Sequence, residues 1–420
     1  MKRITSFYLN NMKNLLRLQL HWQILIALVL AILFGIYFPQ HVNYVSWMGE
    51  LFLRALKMII IPLIVSSMIM GVANIGNAES LGRIGIKTIG FYLFTSLIAI
   101  LTGLLLVNLI KPGIGIDIGF TQTVNKETFG NQSLGNILLR IIPDNIFDAM
   151  AKADILSIIF FSLLFGFFMT KLEEKHSQPL KKFFDALFEI MMKITMFIIR
   201  FTPLGIFGIV AAVIAKQAGD ADSLLSIFQR MSVYMLCVLG GIFFHTFITM
   251  SVVLKLGKIN PIKHLKNMST VLLTAFSTSS SNATLPVTME AIENKCGVSN
   301  KISSFTLPLG ATVNMNGTAL YECVAVIFIA QVYGIELTFY QQFVVVMTSL
   351  LAAIGSAGIP MAGLVMMTVI LNAVGLPLEG IGLILTVDRI LDMFRTSLNV
   401  YGDTCGAVVI AKSEGETLNV

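Results

Sequence analysis

Asp388, Asp392, Arg395 and Asp403, with Asn399 among them, occur at spacings of three to four residues in an apolar segment near the C-terminus. At 100° per residue they fall within an arc of about 80° on a helix, so one face would carry three acids, a guanidinium and an amide. Arg395 offers a planar fork of donors that fits a carboxylate, and Asp392 offers an anion for an ammonium group. Asp403 and Asn399 supply hard oxygens suited to a small cation. An ionised side chain costs about 3 kcal/mol at the centre of a bilayer, so four cannot face lipid. The stripe must face protein, water or a ligand.

The chain that positions this stripe has 420 residues, 56% hydrophobic and 12% charged, with a mean hydropathy of +0.83. No soluble domain of that length has such a composition. Apolar runs long enough to cross about 30 Å lie near 22–40, 47–73, 86–110, 154–171, 186–215, 228–256, 301–332 and 376–413. They predict an all-α polytopic membrane protein with eight transmembrane helices. The first run follows Lys2, Arg3, Lys13 and Arg17, but it is too long for a signal peptide and lacks a small-residue cleavage site, so it reads as a retained helix. Basic residues collect in alternate loops, at Arg83 and Lys87, Lys171 to Lys182, and Lys255 to Lys266, whereas the loop 39–45 has no lysine or arginine. That asymmetry predicts a plasma (inner) membrane protein with both termini in the cytoplasm. It also accounts for the net charge of +6 without a nucleic-acid partner. Cys237, Cys296, Cys323 and Cys405 are isolated and suggest neither disulfides nor a metal site. The segment 111–152 is polar up to Pro143 and reads as an outer loop with a few short helices, and the tail after Lys412 reads as mobile.

Two hydrophobic stretches do not have the form of single spans. The first, about 260–292, holds two short apolar arms around Ser277-Thr278-Ser279-Ser280-Ser281-Asn282, with Pro286 beyond. The second, about 340–373, repeats the design around Gly355-Ser356-Ala357-Gly358-Ile359-Pro360. Each arm covers about half a bilayer at 1.5 Å per residue. Irregular backbone at membrane depth survives only where it is buried in protein or lines a wet cavity, so both stretches predict re-entrant hairpins, as in inverted-repeat transporters. Between them, a helix of about 300–332 is interrupted by Pro308, Gly310, Asn314, Asn316, Gly317 and Thr318. An opened helix frees carbonyls that suit a cation, while Asn and Gly at helix contacts can equally serve packing.

Four motifs in this order, Ser279-Ser280-Ser281-Asn282-Ala283-Thr284-Leu285-Pro286, Asn314 to Glu322, Gly355 to Pro360 and Asp392 to Asp403, resemble the dicarboxylate/amino acid:cation symporter family. These are the glutamate and aspartate transporters, which include the excitatory amino acid transporters, and the chain looks like a prokaryotic member. The resemblance covers nearly the whole sequence and implies a homotrimeric, elevator-type transporter that is not an enzyme. Residues 1–85 (helices one and two) and 111–218 (helices four and five) would form the scaffold. Residues 86–110 (helix three) and 219–420 would form the transport domain, the latter with helix six, both hairpins, helix seven and helix eight at about 376–413.

By the same resemblance, Arg395 would hold the substrate side-chain carboxylate and Asp392 its α-amino group, with Thr396, Asn399, Ser281, Thr318, Ile359 and Gly363 around them. L-Glutamate or L-aspartate satisfies this set. Neutral amino acid carriers of the family usually lack the arginine and C4-dicarboxylate carriers lack the aspartate, so Arg395 and Asp392 together argue against both of these alternatives. One sodium site would use Gly310, Asn314, Asn399 and Asp403, a second Thr312, Met315, Ala353, Ile354 and Ser356, and a third Tyr92, Thr95, Ser96, Asn314 and Asn316. Sodium-coupled members have aspartate where this chain has Asn316, which removes a full charge from a low-dielectric site. Glu322 is the proton candidate: animal glutamate transporters carry the proton on the matching glutamate, and proton-only coupling is a further alternative. Another arginine, which many members place at the positions of Ser279 or Met393, is missing from both, and Arg389 lies nearby. It would serve in that place or as a snorkelling charge, so potassium exchange is not inferred. The paired aspartates do not fit an aspartyl protease, because Arg395 beside them opposes a shared proton. The serine run has no Gly-x-Ser-x-Gly elbow.

Overall fold

Long apolar runs become helices because an α-helix satisfies its own backbone where water is absent, and every regular element among the described residues is helical. The computed structural model describes residues 20–80, 83–115, 142–152, 154–216, 221–355 and 362–420. Helix α1 (Leu20–Tyr37) is followed by α2 (Asn43–Ser80), α3 (Arg83–Ile110), the short α4 (Ile146–Ala151), α5 (Ile155–Thr170), α6 (Glu174–Ile199) and α7 (Thr202–Lys216). Next come α8 (Ala221–Phe244), continued through a π-turn into α9 (Met250–Leu256), then α10 (Pro261–Thr278), α11 (Ser281–Ala291), α12 (Asn300–Val313) and α13 (Asn316–Val332). The chain ends with α14 (Phe339–Gly355), α15 (Ala362–Ala373) and α16 (Ile381–Ser413).

By length and composition, Asn43–Ala73, Arg83–Ile110, Leu225–Leu256 and Asn300–Val332 can each cross a membrane. The run 186–215 does not continue as one helix, since α6 and α7 meet at 53°. Pro203 in the first turn of α7 lacks the N–H that an unbroken helix would need there. Helix α1 lies against α7, and α2 packs on α5, α6 and α7. A second group surrounds α13, which is buried on all its faces among α3, α8, α14, α15 and α16.

The stretch 260–292 folds into two antiparallel arms. Asn260 accepts hydrogen bonds from the Ile262 and Lys263 amides at the start of α10, where Pro261 is preset for the first turn. Ser279 ends α10 in the left-handed region at φ 50°, and Ser280 then caps α11 by accepting from the Ala283 amide. The turn is thus held by the hydroxyls of Thr278, which accepts from the Ser280 amide, and Ser280, while Ser279 supplies the left-handed backbone. Helices α12 and α13 are separated by Asn314 and Met315, both outside helical geometry. In the second stretch, α14 and α15 form the arms, and the tip 356–361 with Ser356 and Ile359 lies outside the described residues. The tail is docked rather than free, because Glu414, Glu416 and Asn419 each find a partner on the body of the protein.

Candidate functional site

Arg395 sits in the middle of α16 with its side chain 1% exposed. Its Nη2 donates to Asp392 Oδ1 at 2.8 Å and lies 3.2 Å from Asp388 Oδ1. The guanidinium stacks over the Tyr321 ring, 3.8 Å from the centroid, and the Tyr321 hydroxyl donates to Asp388 Oδ1 at 2.6 Å. Tyr321 and Asp388 are the site residues that reading the motifs assigned no direct role. Tyr321 lies one turn beyond Thr318 on α13, and that spacing is the signal that places it on the same face. Arg389 reaches Asp392 Oδ2 from outside, at 3.5 Å. The remaining Arg395 donors, Nε and Nη1, are buried and make no hydrogen bond among the described residues.

Gly363, in the first turn of α15, faces Nη1. A methyl group there would come 3.1 Å from Nη1 and 3.2 Å from Thr318 Cγ2, so the two glycine-side neighbours define a narrow space beside the guanidinium. Asn399 completes that side: its Oδ1 accepts from the Gly317 amide at 2.7 Å, and its Nδ2 donates to Thr318 Oγ1 at 3.1 Å. Thr396 is buried next to Arg395 on α16. Ser281 is buried in the first turn of α11, in a hairpin packed on α16, and adds no hydrogen bond to the Arg395 group among the described residues. Gly317 lets α13 and α16 approach closely, since a methyl group on it would lie 2.6 Å from the Arg395 carbonyl oxygen.

One turn further along α16, oxygen atoms gather. Asn314 Nδ2 donates to Asp403 Oδ1 at 2.8 Å, while Asn314 Oδ1 has no partner among the described residues. Ser96 Oγ donates to Asn316 Oδ1 at 2.7 Å, and the Tyr92 hydroxyl donates to the Thr306 carbonyl at 3.0 Å. Gly310 and Gly402 make this cluster compact. A methyl group on Gly310 would stand 2.5 Å from Asp403 Oδ1 and 2.8 Å from the Tyr92 hydroxyl, and one on Gly402 would stand 2.8 Å from both the Asn314 and Asn316 amide nitrogens. The donor set is hard oxygen throughout, with one carboxylate, which fits a small monovalent cation.

The other expected ion ligands divide. Thr95 is buried and bonds within its own helix, to Phe91 and Tyr92 carbonyls. Thr312 bonds to the Leu309 carbonyl, and Ile354 packs on Leu309 and Val313, with Ala353 buried beside it. Met315 turns its sulfur to Asn399 Nδ2 at 3.3 Å, so it belongs to the face between the two clusters. Glu322 is fully buried in α13, and neither carboxyl oxygen has a hydrogen-bond partner among the described residues.

An all-helical membrane protein with broken helices and a buried charged cluster at their meeting point has the form of a multi-pass transporter. The chain belongs to the sodium:dicarboxylate symporter family, whose model matches residues 20–413. It is 36% identical to a proton/glutamate-aspartate symporter of Escherichia coli (strain K12), over 96% of this chain and 94% of that one. It is 35% identical to a proton/sodium-glutamate symport protein of Geobacillus stearothermophilus, over 95% and 96%. Excitatory amino acid transporter 3 of Mus musculus is 35% identical, over 93% of this chain and 85% of its own.

Proposed function

We propose that this protein is a secondary active symporter that takes up L-glutamate or L-aspartate, driven by sodium with the proton as a second coupling ion. The observation that carries the substrate is the half-used guanidinium of Arg395. Its Nη2 is held by Asp392 and Asp388, while Nε and Nη1 are left as buried donors beside Gly363 and Thr318. A carboxylate is the group that satisfies such donors without leaving a buried charge unpaired. An ammonium group on the same ligand would take Asp392, which ties the α-amino group and the distal carboxylate to one helix face.

Sodium is supported by the oxygen cluster of Asp403, Asn314, Asn316, Tyr92 and Ser96, together with relatives named as proton/sodium-glutamate symporters. Ser356 would belong to the sodium assignment and Ile359 to the substrate one. Glu322 supports the proton: its carboxyl is buried without a hydrogen-bond partner among the described residues, one turn from Thr318 on α13. The two packing groups, α1–α2–α5–α6–α7 and α3 with α8 to α16, support a scaffold of 1–85 and 111–218 with a transport domain of 86–110 and 219–420. On this reading the protein has eight spanning helices and two re-entrant hairpins. It assembles as a homotrimer in the inner membrane with both termini in the cytoplasm, and the second body moves as an elevator.

Uptake of radiolabelled glutamate and aspartate by purified protein in liposomes, with sodium, proton and potassium gradients imposed separately, tests the function. Arg395→Ala is expected to abolish acidic amino acid uptake. Unchanged uptake by that variant removes the substrate assignment.

A further inference from the structure

The last seven residues close a contact that the transport reading leaves unused. Glu414 directly follows α16, and its carboxylate bridges two cations on the first turns of α3: Arg83 Nη2 at 2.6 Å and Lys87 Nζ at 2.6 Å. Lys87 also donates to Ser413 Oγ at 2.9 Å and to the Ser413 carbonyl at 3.2 Å. Beyond it, Glu416 accepts from the amide, at 2.9 Å, and from the hydroxyl of Ser299, the residue just before α12. The Asn419 amide donates to the Cys296 carbonyl at 2.8 Å, and Leu418 and Val420 pack against the cluster that includes Cys296, Val298 and Ile302. The tail therefore straps α3, the base of the first hairpin, α12 and α16 to one another.

The register of this strap points to its purpose. Helices α3 and α16 run antiparallel, and Tyr92 lies against Gly406, where a methyl group would come 2.6 Å from the tyrosine ring. Eight residues on along α16 is Glu414, and eight residues back along α3 is Ile84, which Arg83 and Lys87 bracket. Both contacts thus belong to one straight antiparallel pairing about 12 Å apart. The buried stripe of α3 continues from Ile84 and Thr88 through Tyr92, Thr95 and Ser96, so fixing the first turns of α3 fixes the depth at which Tyr92 and Ser96 meet Asn314, Asn316 and Asp403. The helix that precedes α3, namely α2, packs mainly on α5, α6 and α7, in the other packing group.

We propose that Glu414, held by Arg83 and Lys87, is a positioning residue for the cation cluster. This rests on the reading of that cluster as a cation site. The strap sets α3 against α16 so that the oxygens from α3 and α12–α13 stand at cation-binding separation, and loosening it weakens the cation without touching the amino acid contacts.

The test is uptake by purified full-length protein in liposomes, measured as the half-saturating level of the driving cation, sodium or proton, and as amino acid KM and maximal rate at saturating cation. Glu414→Gln, which keeps the shape, and Glu414→Ala are expected to raise the half-saturating cation level about threefold to tenfold, the range of a part-exposed ion-pair network. KM for the amino acid and the maximal rate stay within about twofold of wild type. Glu414→Lys combined with Arg83→Glu and Lys87→Glu is expected to restore much of the loss. A cation dependence unchanged in Glu414→Ala overturns the proposal, and so does a fall in maximal rate with no change in cation dependence. Gly402→Ala separates the two levels of inference, since it crowds the Asn314 and Asn316 amides directly. If that variant also leaves cation dependence unchanged, the cation-site reading itself fails.

Discussion

Gly363→Ala probes the space beside Arg395 with the smallest addition available. The new methyl group would stand 3.1 Å from Nη1 and 3.2 Å from Thr318 Cγ2, a few tenths of an ångström inside ordinary contact at about 3.5 Å. Arg395 has little room to retreat, because Nη2 is held by Asp392 at 2.8 Å and Asp388 at 3.2 Å and its plane rests on Tyr321. Overpacking of this kind costs about 1–3 kcal/mol, while alanine in place of glycine in a helix returns up to about 1 kcal/mol. Folding is therefore expected to change little. Binding is not, since the methyl group takes the volume in which a carboxylate oxygen would approach Nη1 at about 2.8 Å. KM for glutamate and aspartate is expected to rise about tenfold to a hundredfold, which corresponds to about 1.4–2.8 kcal/mol. Uptake kinetics in liposomes give KM, and thermal melting with and without saturating sodium checks that fold and cation response persist. A KM within about twofold of wild type, at unchanged melting temperature, would refute the placement of the substrate carboxylate at Nη1.

Other consequences concern protons. Glu322→Gln keeps the side-chain shape but has no proton to release, so uptake driven by a pH gradient alone is expected to fall by about tenfold or more while sodium-driven exchange persists; undiminished pH-driven uptake would remove Glu322 as the carrier. Glu414 behaves differently: hydrogen bonds from Arg83 and Lys87, then their charges, hold its carboxyl down at about 2, below the ordinary value of about 4.3. A depressed carboxyl stabilises the folded form above its unfolded value and loses that contribution as pH falls toward the folded one. The gap in melting temperature between wild type and Glu414→Ala is thus expected to stay constant from about pH 5 to 8 and to shrink below about pH 4. A gap that closes between pH 5 and 8 would contradict the ion-paired strap.

Much of the broken-helix pattern was legible in the residues. Ser279 and Ser280 reverse the chain where the serine run stands, and Asn314-Met315 leaves helical geometry between Pro308 and Gly317. Punctuation by Ser, Asn, Gly and Pro is a local signal, so it survives without knowledge of neighbours. The charged stripe was legible for the same reason, being a matter of 100° per residue along α16. Contacts between elements were not. That Tyr321 lies under the Arg395 plane depends on how α13 crosses α16, and that crossing depends on Gly317 having no side chain against the Arg395 carbonyl. The tail read as mobile because Glu414 and Glu416 look solvated in sequence. Their partners, Arg83, Lys87 and Ser299, are more than a hundred residues away and reach them only in the folded chain.

The charges at the proposed site bear on why transport should be coupled. Asp388 and Asp392 both address Arg395, Arg389 adds a second cation at 3.5 Å, and Asp403 stands apart with only the Asn314 amide on one oxygen. With all five groups ionised, the acids outnumber the guanidiniums. An acidic amino acid adds a further net negative charge to a site where like charges interact far more strongly than in water. Its ammonium group answers Asp392 and its distal carboxylate answers the spare donors of Arg395, but Asp403 remains unanswered. A cation at Asp403, Asn314 and Asn316 would meet that need about two turns from Arg395 on the same helix, and Asn399 joins the two places through the Gly317 amide and Thr318. On the proposed reading Asn316 brings no charge to that place, and a proton on Glu322 would be the second coupling charge. Substrate and cation would then enter together because either alone leaves a buried charge without a partner.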